Sequence, residues 1–143
     1  MLPGLSKGSK HMRRSIIFLT TLSLAVYTSS ASAADFGFSF DWGNIKKCTS
    51  GRPNRVPNPV FRLKGVPQGT ASIRFKMKDL NVPSYNHGGG KAKFKGASTI
   101  KPGAFKYKSP CPPSGRHTYQ WTATALDGKG KKLAVATASK KYP

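Results

Sequence analysis

Beyond residue 33 the chain is dominated by an alternation of apolar and polar side chains. Phe36, Phe38, Phe40 and Trp42 fall at every second position, separated by Gly37, Ser39 and Asp41. Ile73, Phe75 and Met77 alternate with Arg74, Lys76 and Lys78. Tyr119, Trp121, Ala123 and Ala125 alternate with Gln120, Thr122 and Thr124, and Leu133, Val135 and Thr137 alternate with alanines. Successive side chains of an extended strand point to opposite faces, so a period of two predicts strands with one buried face. Weaker strand signals lie at 61–64 and 91–95. No window beyond residue 33 carries the apolar stripe of an amphipathic helix.

The breaks between these segments have turn chemistry. Asp127-Gly128, followed by Gly130, predicts a hairpin joining strands over 117–126 and 132–139. Arg52-Pro53-Asn54, Pro57-Asn58-Pro59, Gly88-Gly89-Gly90 and Pro110-Cys111-Pro112-Pro113 are expected as loops, because proline removes a ladder donor and glycine relaxes φ. About six or seven short strands predict an all-β fold with little or no helix, a small antiparallel β-sandwich or barrel. Neither a repeat nor a linker divides residues 34–143, which are expected to form a single β domain.

Residues 1–33 have a different pattern. Arg13 and Arg14, helped by Lys7 and Lys10, precede the apolar stretch Ile16 to Val26, and Ala31-Ser32-Ala33 offers a small-x-small cleavage site. This is the pattern of a secretory signal peptide, with cleavage expected near Ala33/Ala34 and a secreted or periplasmic product. The apolar run is shorter than the roughly 20 residues that span a bilayer.

Charge narrows the chemistry. The chain of 143 residues has 25 Lys plus Arg and only four acids (Asp35, Asp41, Asp79 and Asp127), a net charge of +21. Loss of the four basic residues ahead of the cleavage site leaves +17. So few carboxylates argue against a glycosidase-type or di-metal carboxylate centre. The positive field suits phosphate-bearing polymers, acidic glycans or anionic lipid. Lysines alternating along 74–78 would place a basic stripe on the outer face of a sheet, either a contact surface or a solvated face that resists aggregation. No helix-turn-helix or base-stacking motif is present, so sequence-specific nucleic-acid recognition is not expected.

Cys48 and Cys111 are the only cysteines. In an oxidising compartment an intramolecular disulfide is the leading reading. A zinc site from Cys48, Cys111, His87 and His117, and free thiols at a pocket, are the alternatives. His87 and His117 are the histidines beyond residue 33, suited either to an anionic headgroup or to a buried bond with a carbonyl. There is no Gly-x-Ser-x-Gly elbow, and the triple glycine lacks the Lys-Ser/Thr ending of a phosphate-cradling loop. Asp79 closes the strand over 73–78, where an acid commonly bonds turn N–H groups. Neither enzymatic activity nor a cofactor is expected.

Four segments, in order, resemble the phosphatidylethanolamine-binding protein family, particularly its bacterial Raf-kinase-inhibitor-like members. They are Cys48-Thr49-Ser50-Gly51 with Asn54 and Pro57 to Phe61; Gly65-Val66-Pro67-Gln68-Gly69-Thr70; Asp79-Leu80-Asn81-Val82-Pro83, similar to a D-P-D-x-P motif; and Ser109-Pro110-Cys111-Pro112-Pro113 followed by Gly115-x-His117-x-Tyr119 and Ala125-Leu126-Asp127. The resemblance covers most of 48–127. It implies an antiparallel β-sandwich with a small anion pocket at one end, for phosphate or a phospholipid headgroup. Asp79 and Asn81, with Pro83, would form one wall and His117 and Tyr119 the other. His87 would match the central histidine, the loop Pro110-Cys111-Pro112-Pro113 would line the mouth, and Gly115 is expected among the ligand-binding residues. Leu80 and Asn81 depart from the motif's proline and second acid, Thr118 stands where arginine often follows the histidine, and the stretch between His87 and Cys111 is short. The expected function is a non-enzymatic binding protein with an anion pocket. The alternative is a cationic surface that binds anionic polymers or membranes without a specific pocket.

Overall fold

The computed structural model describes residues 35–143, with Met1 and Gly4; the expected signal segment lies outside the described residues. Among the described residues there are nine strands and no helix: β1 (Gly37–Asp41), β2 (Arg55–Pro57), β3 (Val60–Lys64), β4 (Ser72–Asp79), β5 (Asn86–Lys93), β6 (Thr99–Ile100), β7 (Lys106–Lys108), β8 (His117–Leu126) and β9 (Lys132–Tyr142). They form a four-stranded sheet in the order β5-β4-β8-β9, a three-stranded sheet β1-β3-β6 and a two-stranded pair β2-β7. Every pairing is antiparallel. The all-β expectation is met.

The core is the space between the two larger sheets. Phe38, Phe40, Phe61 and Leu63 from β1 and β3 face Ile73, Phe75, Met77, Tyr119, Trp121 and Ala123 from β4 and β8. Phe61 stacks on Phe75 with ring centroids 4.0 Å apart, and Trp121 meets Phe61 edge-on at 5.2 Å. These aromatic contacts across the layers make the fold a sandwich. Trp42, just after β1, donates its indole N–H to the Lys141 carbonyl at 3.1 Å and joins β1 to the end of β9. Asn58, buried between prolines, donates to the Pro59 and Lys101 carbonyls and accepts from the Phe105 N–H, so the expected loop is pinned by its own side chain.

Two sequence-based expectations are corrected. Gly88-Gly89-Gly90 is not a free loop; it belongs to edge strand β5, beside a register irregularity between Lys76 and Lys78. A Cβ on Gly89 would lie 2.1 Å from the Phe75 carbonyl oxygen, and one on Gly90 would lie 2.4 Å from Phe105. The glycines are there because the backbone approaches β4 and the Phe105 ring too closely for side chains. On β9 the faces are also reversed. Leu133 and Val135 are exposed, while Ala136 and Ala138 pack on the core. Ala136 lies opposite Ala123 and Ala138 opposite Trp121, so the bulky indole is matched by a small partner.

Candidate functional site

Strand β4 ends in Asp79, whose side chain is nearly fully buried. Its Oδ1 accepts the Asn81 and Val82 N–H groups at 2.8 and 3.1 Å, turning the chain sharply out of the sheet. Its Oδ2 accepts His117 Nδ1–H at 2.7 Å. The turn is fixed to β8 by reciprocal bonds: Leu80 N–H donates to the Thr118 carbonyl and Thr118 N–H to the Asn81 side-chain oxygen, both at 2.8 Å. Tyr85 N–H then closes on the Val82 carbonyl at 3.0 Å.

From the next strand, His87 is buried at 3% exposure, and its Nδ1 lies 2.9 Å from the Lys108 carbonyl. A carbonyl only accepts, so Nδ1 carries the proton and the neutral ring presents a bare Nε2. Cys48 and Cys111 are joined as a disulfide with Cα atoms 4.6 Å apart. The bond draws the 48–54 segment against the proline loop that follows β7, and Ser109 N–H bonds the Asn54 carbonyl at 2.8 Å. The disulfide removes the zinc and free-thiol alternatives for these cysteines.

Between these segments lies a cavity of about 190 Å³ lined by Gly51, Pro53, Asp79, Val82, Tyr85, His87, Cys111 and Pro113. Of the residues expected from sequence, Asp79, His87, Cys111 and Pro113 line it. His117 stands behind Asp79, half-buried and bonded to it. Tyr119 is fully buried behind both histidines, with ring centroids 5.3 Å from His87 and 6.2 Å from His117. Pro110 and Pro112 are buried beneath the loop instead of lining the mouth. The Asn81 amide oxygen is committed to Thr118, so Asn81 holds the turn and is not a wall. Pro83 faces a separate cleft beside Lys76 and Lys78, and Gly115 is an exposed turn residue at φ +65°. Gly51, Pro53, Val82 and Tyr85 are lining residues not assigned to the pocket from sequence. Among them Tyr85, two positions from His87, carried a usable signal, because an aromatic beside a candidate histidine commonly walls its pocket.

Burial raises the Asp79 carboxyl, but the hydrogen bonds from His117, Asn81 and Val82 outweigh it and hold the group below the usual carboxylate range. Burial also lowers His87; the Lys108 carbonyl and the Asp79 charge offset only part of that. Burial, reinforced by the neighbouring Asp79 charge, pushes the Tyr119 phenol up, so it stays protonated. Its hydroxyl has no hydrogen-bond partner among the described residues.

A stability consequence follows from His87. Its folded pKa lies below its unfolded value of 6.5, so in that window the unfolded chain binds more protons. Stability is complete above the unfolded value and falls as the pH drops through it toward the folded one. Urea midpoints measured from about pH 7.5 to about pH 5 should decline, and His87→Gln should flatten the decline. An unchanged slope in the variant would assign the acid sensitivity elsewhere.

The sequence matches no family profile and none of the curated proteins. Solved structures do match. The CT736 protein of Chlamydia trachomatis, described as a phosphatidylethanolamine-binding protein homologue, aligns with a TM-score of 0.53 at 18% identity over 76% of this chain and 97% of that one. YbcL of Escherichia coli, described as a member of the mammalian phosphatidylethanolamine-binding protein family, aligns with a TM-score of 0.54 at 19% identity over 76% and 98%. The fold is that of the phosphatidylethanolamine-binding proteins. In this chain the phosphatidylethanolamine-binding-protein fold is built without a helix among the described residues. Three of the four segments that carry the resemblance, within 48–61, 79–83 and 109–127, supply most of the cavity lining, while the fourth, Gly65 to Thr70, lines a separate cleft.

Proposed function

We propose that the chain is a secreted or periplasmic, non-enzymatic binding protein whose cavity takes a phosphate-type headgroup. The observation that carries this reading is the convergence of Asp79 and His87, backed by His117 and Tyr119, on one small cavity with otherwise apolar walls. At about 190 Å³ it is below the usual range for drug-sized ligands, so a headgroup fits and an acyl chain does not.

The chemistry of the walls favours a headgroup bearing both charges. An ionised carboxylate has about four acceptor sites, and Asp79 uses three of them within the fold. An ammonium in the cavity competes only with the buried Tyr119 hydroxyl for the fourth. A phosphate needs donors, and neutral His87 has none to spare because its N–H is held by Lys108. A bound phosphate therefore draws a proton onto His87 Nε2, and the nearby Asp79 charge favours that imidazolium. Val82, Tyr85, Pro53 and Pro113 exclude water and strengthen both contacts.

Isothermal titration with phosphoethanolamine near pH 7 is the test. The wild-type protein should bind saturably, take up a proton that appears as a buffer-dependent heat, and lose at least about tenfold in affinity on His87→Ala, roughly 1.4 kcal/mol. Absence of saturable binding, or affinity indifferent to the substitution, would remove the reading.

A further inference from the structure

We propose that the outward face of the four-stranded sheet is a docking surface for the phosphate backbone of duplex nucleic acid, engaged without regard to base sequence. The inference rests on a face of the fold separate from the cavity. Along central strand β4, Arg74, Lys76 and Lys78 are exposed, while Ile73, Phe75 and Met77 between them are buried. On β5, Lys91 lies directly opposite Arg74, and Lys93 opposite Ser72. Both lysines are exposed, and Ala92 between them is buried, so all five cations share the outer face.

The sheet sets their spacing. Alternate residues of a strand lie about 6.7 Å apart and neighbouring strands about 4.8 Å, which makes a stripe roughly 13 Å long on β4 and two strands wide. Beside it, Gln120, Thr122 and Thr124 of β8 stand opposite Lys78, Lys76 and Arg74. Ser139 and Thr137 of β9 extend those rows. The cations are thus flanked by hydroxyl and amide groups able to donate to phosphate oxygens.

No carboxylate shares this face. Asp79 turns into the fold, Asp41 is engaged by Arg62 and Lys140, Asp127 sits in the β8–β9 turn bonding the Lys129 and Lys131 N–H groups, and Asp35 precedes β1. Among the described residues none of the five stripe cations has an ion-pair partner. The stripe is a linear array with nothing to neutralise it, and its complement is a linear polyanion.

The form of that polyanion follows from what the face lacks. Single strands are held by stacking successive bases on several aromatic rings; the rows themselves hold none, and the one ring bordering them, Tyr85 beside Lys76 and Lys78, is packed edge-on against His87 at 4.7 Å. A membrane surface favours cations spread around inserted apolar groups. Here the cations crowd the β4–β5 half, and the exposed apolar side chains of the face, Leu133 and Val135, stand apart from them on edge strand β9, beyond the Thr and Gln rows of β8. A duplex carries its phosphates outside and needs no stacking.

The test is fluorescence anisotropy with a short mixed-sequence DNA duplex over a salt series. With five cations engaged, log affinity should fall against log salt with a slope of about −4.5, so a fourfold rise in salt costs about 500-fold in affinity. The triple variant Lys76→Gln/Lys78→Gln/Lys91→Gln should reduce the slope to about −2, a loss of about 10-fold over the same range. Lys47→Gln/Lys101→Gln/Lys129→Gln removes the same charge from exposed sites off the face and should leave the slope unchanged. Equal effects of the two triples, or no duplex binding by the wild-type protein, would overturn the proposal. Stripe-dependent binding to phosphatidylglycerol vesicles that exceeds binding to the duplex would overturn it in favour of a membrane.

Discussion

Cys48→Ala combined with Cys111→Ala is expected to lower folding stability by about 4 kcal/mol and to abolish binding in the cavity. The two cysteines are 63 residues apart in sequence, so their bond removes a large closure entropy from the unfolded chain. For a domain of this size the loss corresponds to a fall in Tm of roughly 15 °C or more. The effect on binding has a local cause. Gly51, Pro53 and Pro113 reach the cavity from irregular segments on either side of the disulfide. Those segments have few other fixed contacts, chiefly the three-residue pairing of β2 with β7 and the Ser109–Asn54 bond. Tyr107 of β7 meets Trp121 edge-on at 4.9 Å and Val56 of β2 packs against the core, but the four- and three-stranded sheets are paired without either segment, so far-ultraviolet circular dichroism should keep its β signature in the variant. A variant that loses less than about 1 kcal/mol and still binds would show that the disulfide is incidental to the site.

Asp79→Ala is the second large effect, an expected loss of about 3 kcal/mol. The substitution leaves the Asn81 and Val82 N–H groups and the His117 ring without their shared acceptor, in a part-buried position. Asp79→Asn separates charge from geometry. Its side-chain oxygen can still accept the turn N–H groups, so most of the stability should survive while affinity for phosphoethanolamine falls. The acid side of the stability curve carries the same signature. Because the folded pKa lies below the ordinary value of 3.8, the stability Asp79 supplies is complete above that value and is lost as the pH falls through it toward the folded pKa. Denaturant titrations near pH 3 should therefore narrow the gap between the wild-type protein and Asp79→Ala, and a constant gap would contradict the assigned role.

How far the sequence could be read depended on side-chain contrast. Tyr119, Trp121, Ala123 and Ala125 gave β8 away because large or apolar groups alternate there with Thr and Gln. Strands β2, β6 and β7 span only two or three residues, too few for a period to show. Gly88 to Gly90 has no side chains to display a pattern, and the constraint that requires glycine there, the close approach of β4 and Phe105, is tertiary. On β9 the larger residues were the misleading ones. Leu133 and Val135 face outward because Trp121 and its neighbours leave room only for alanine inside. In the site, Asp79, His87 and Cys111 were legible because acids, histidines and cysteines are scarce in this chain. Val82 and Pro53 were not, because an apolar side chain and a proline carry no polar chemistry that marks a pocket. The roles of Asn81 and His117 as supports, not walls, depend on hydrogen bonds between β4 and β8 that no linear pattern encodes.

The central claim is that segments far apart in sequence make one headgroup cavity, and amide chemical-shift mapping of a phosphoethanolamine titration tests it most directly. The account predicts saturable shifts concentrated at Gly51, Val82, Tyr85, His87 and Cys111, with the β4–β5 lysine stripe unmoved. Shifts that never saturate, or that centre on Arg74, Lys76 and Lys91, would contradict it.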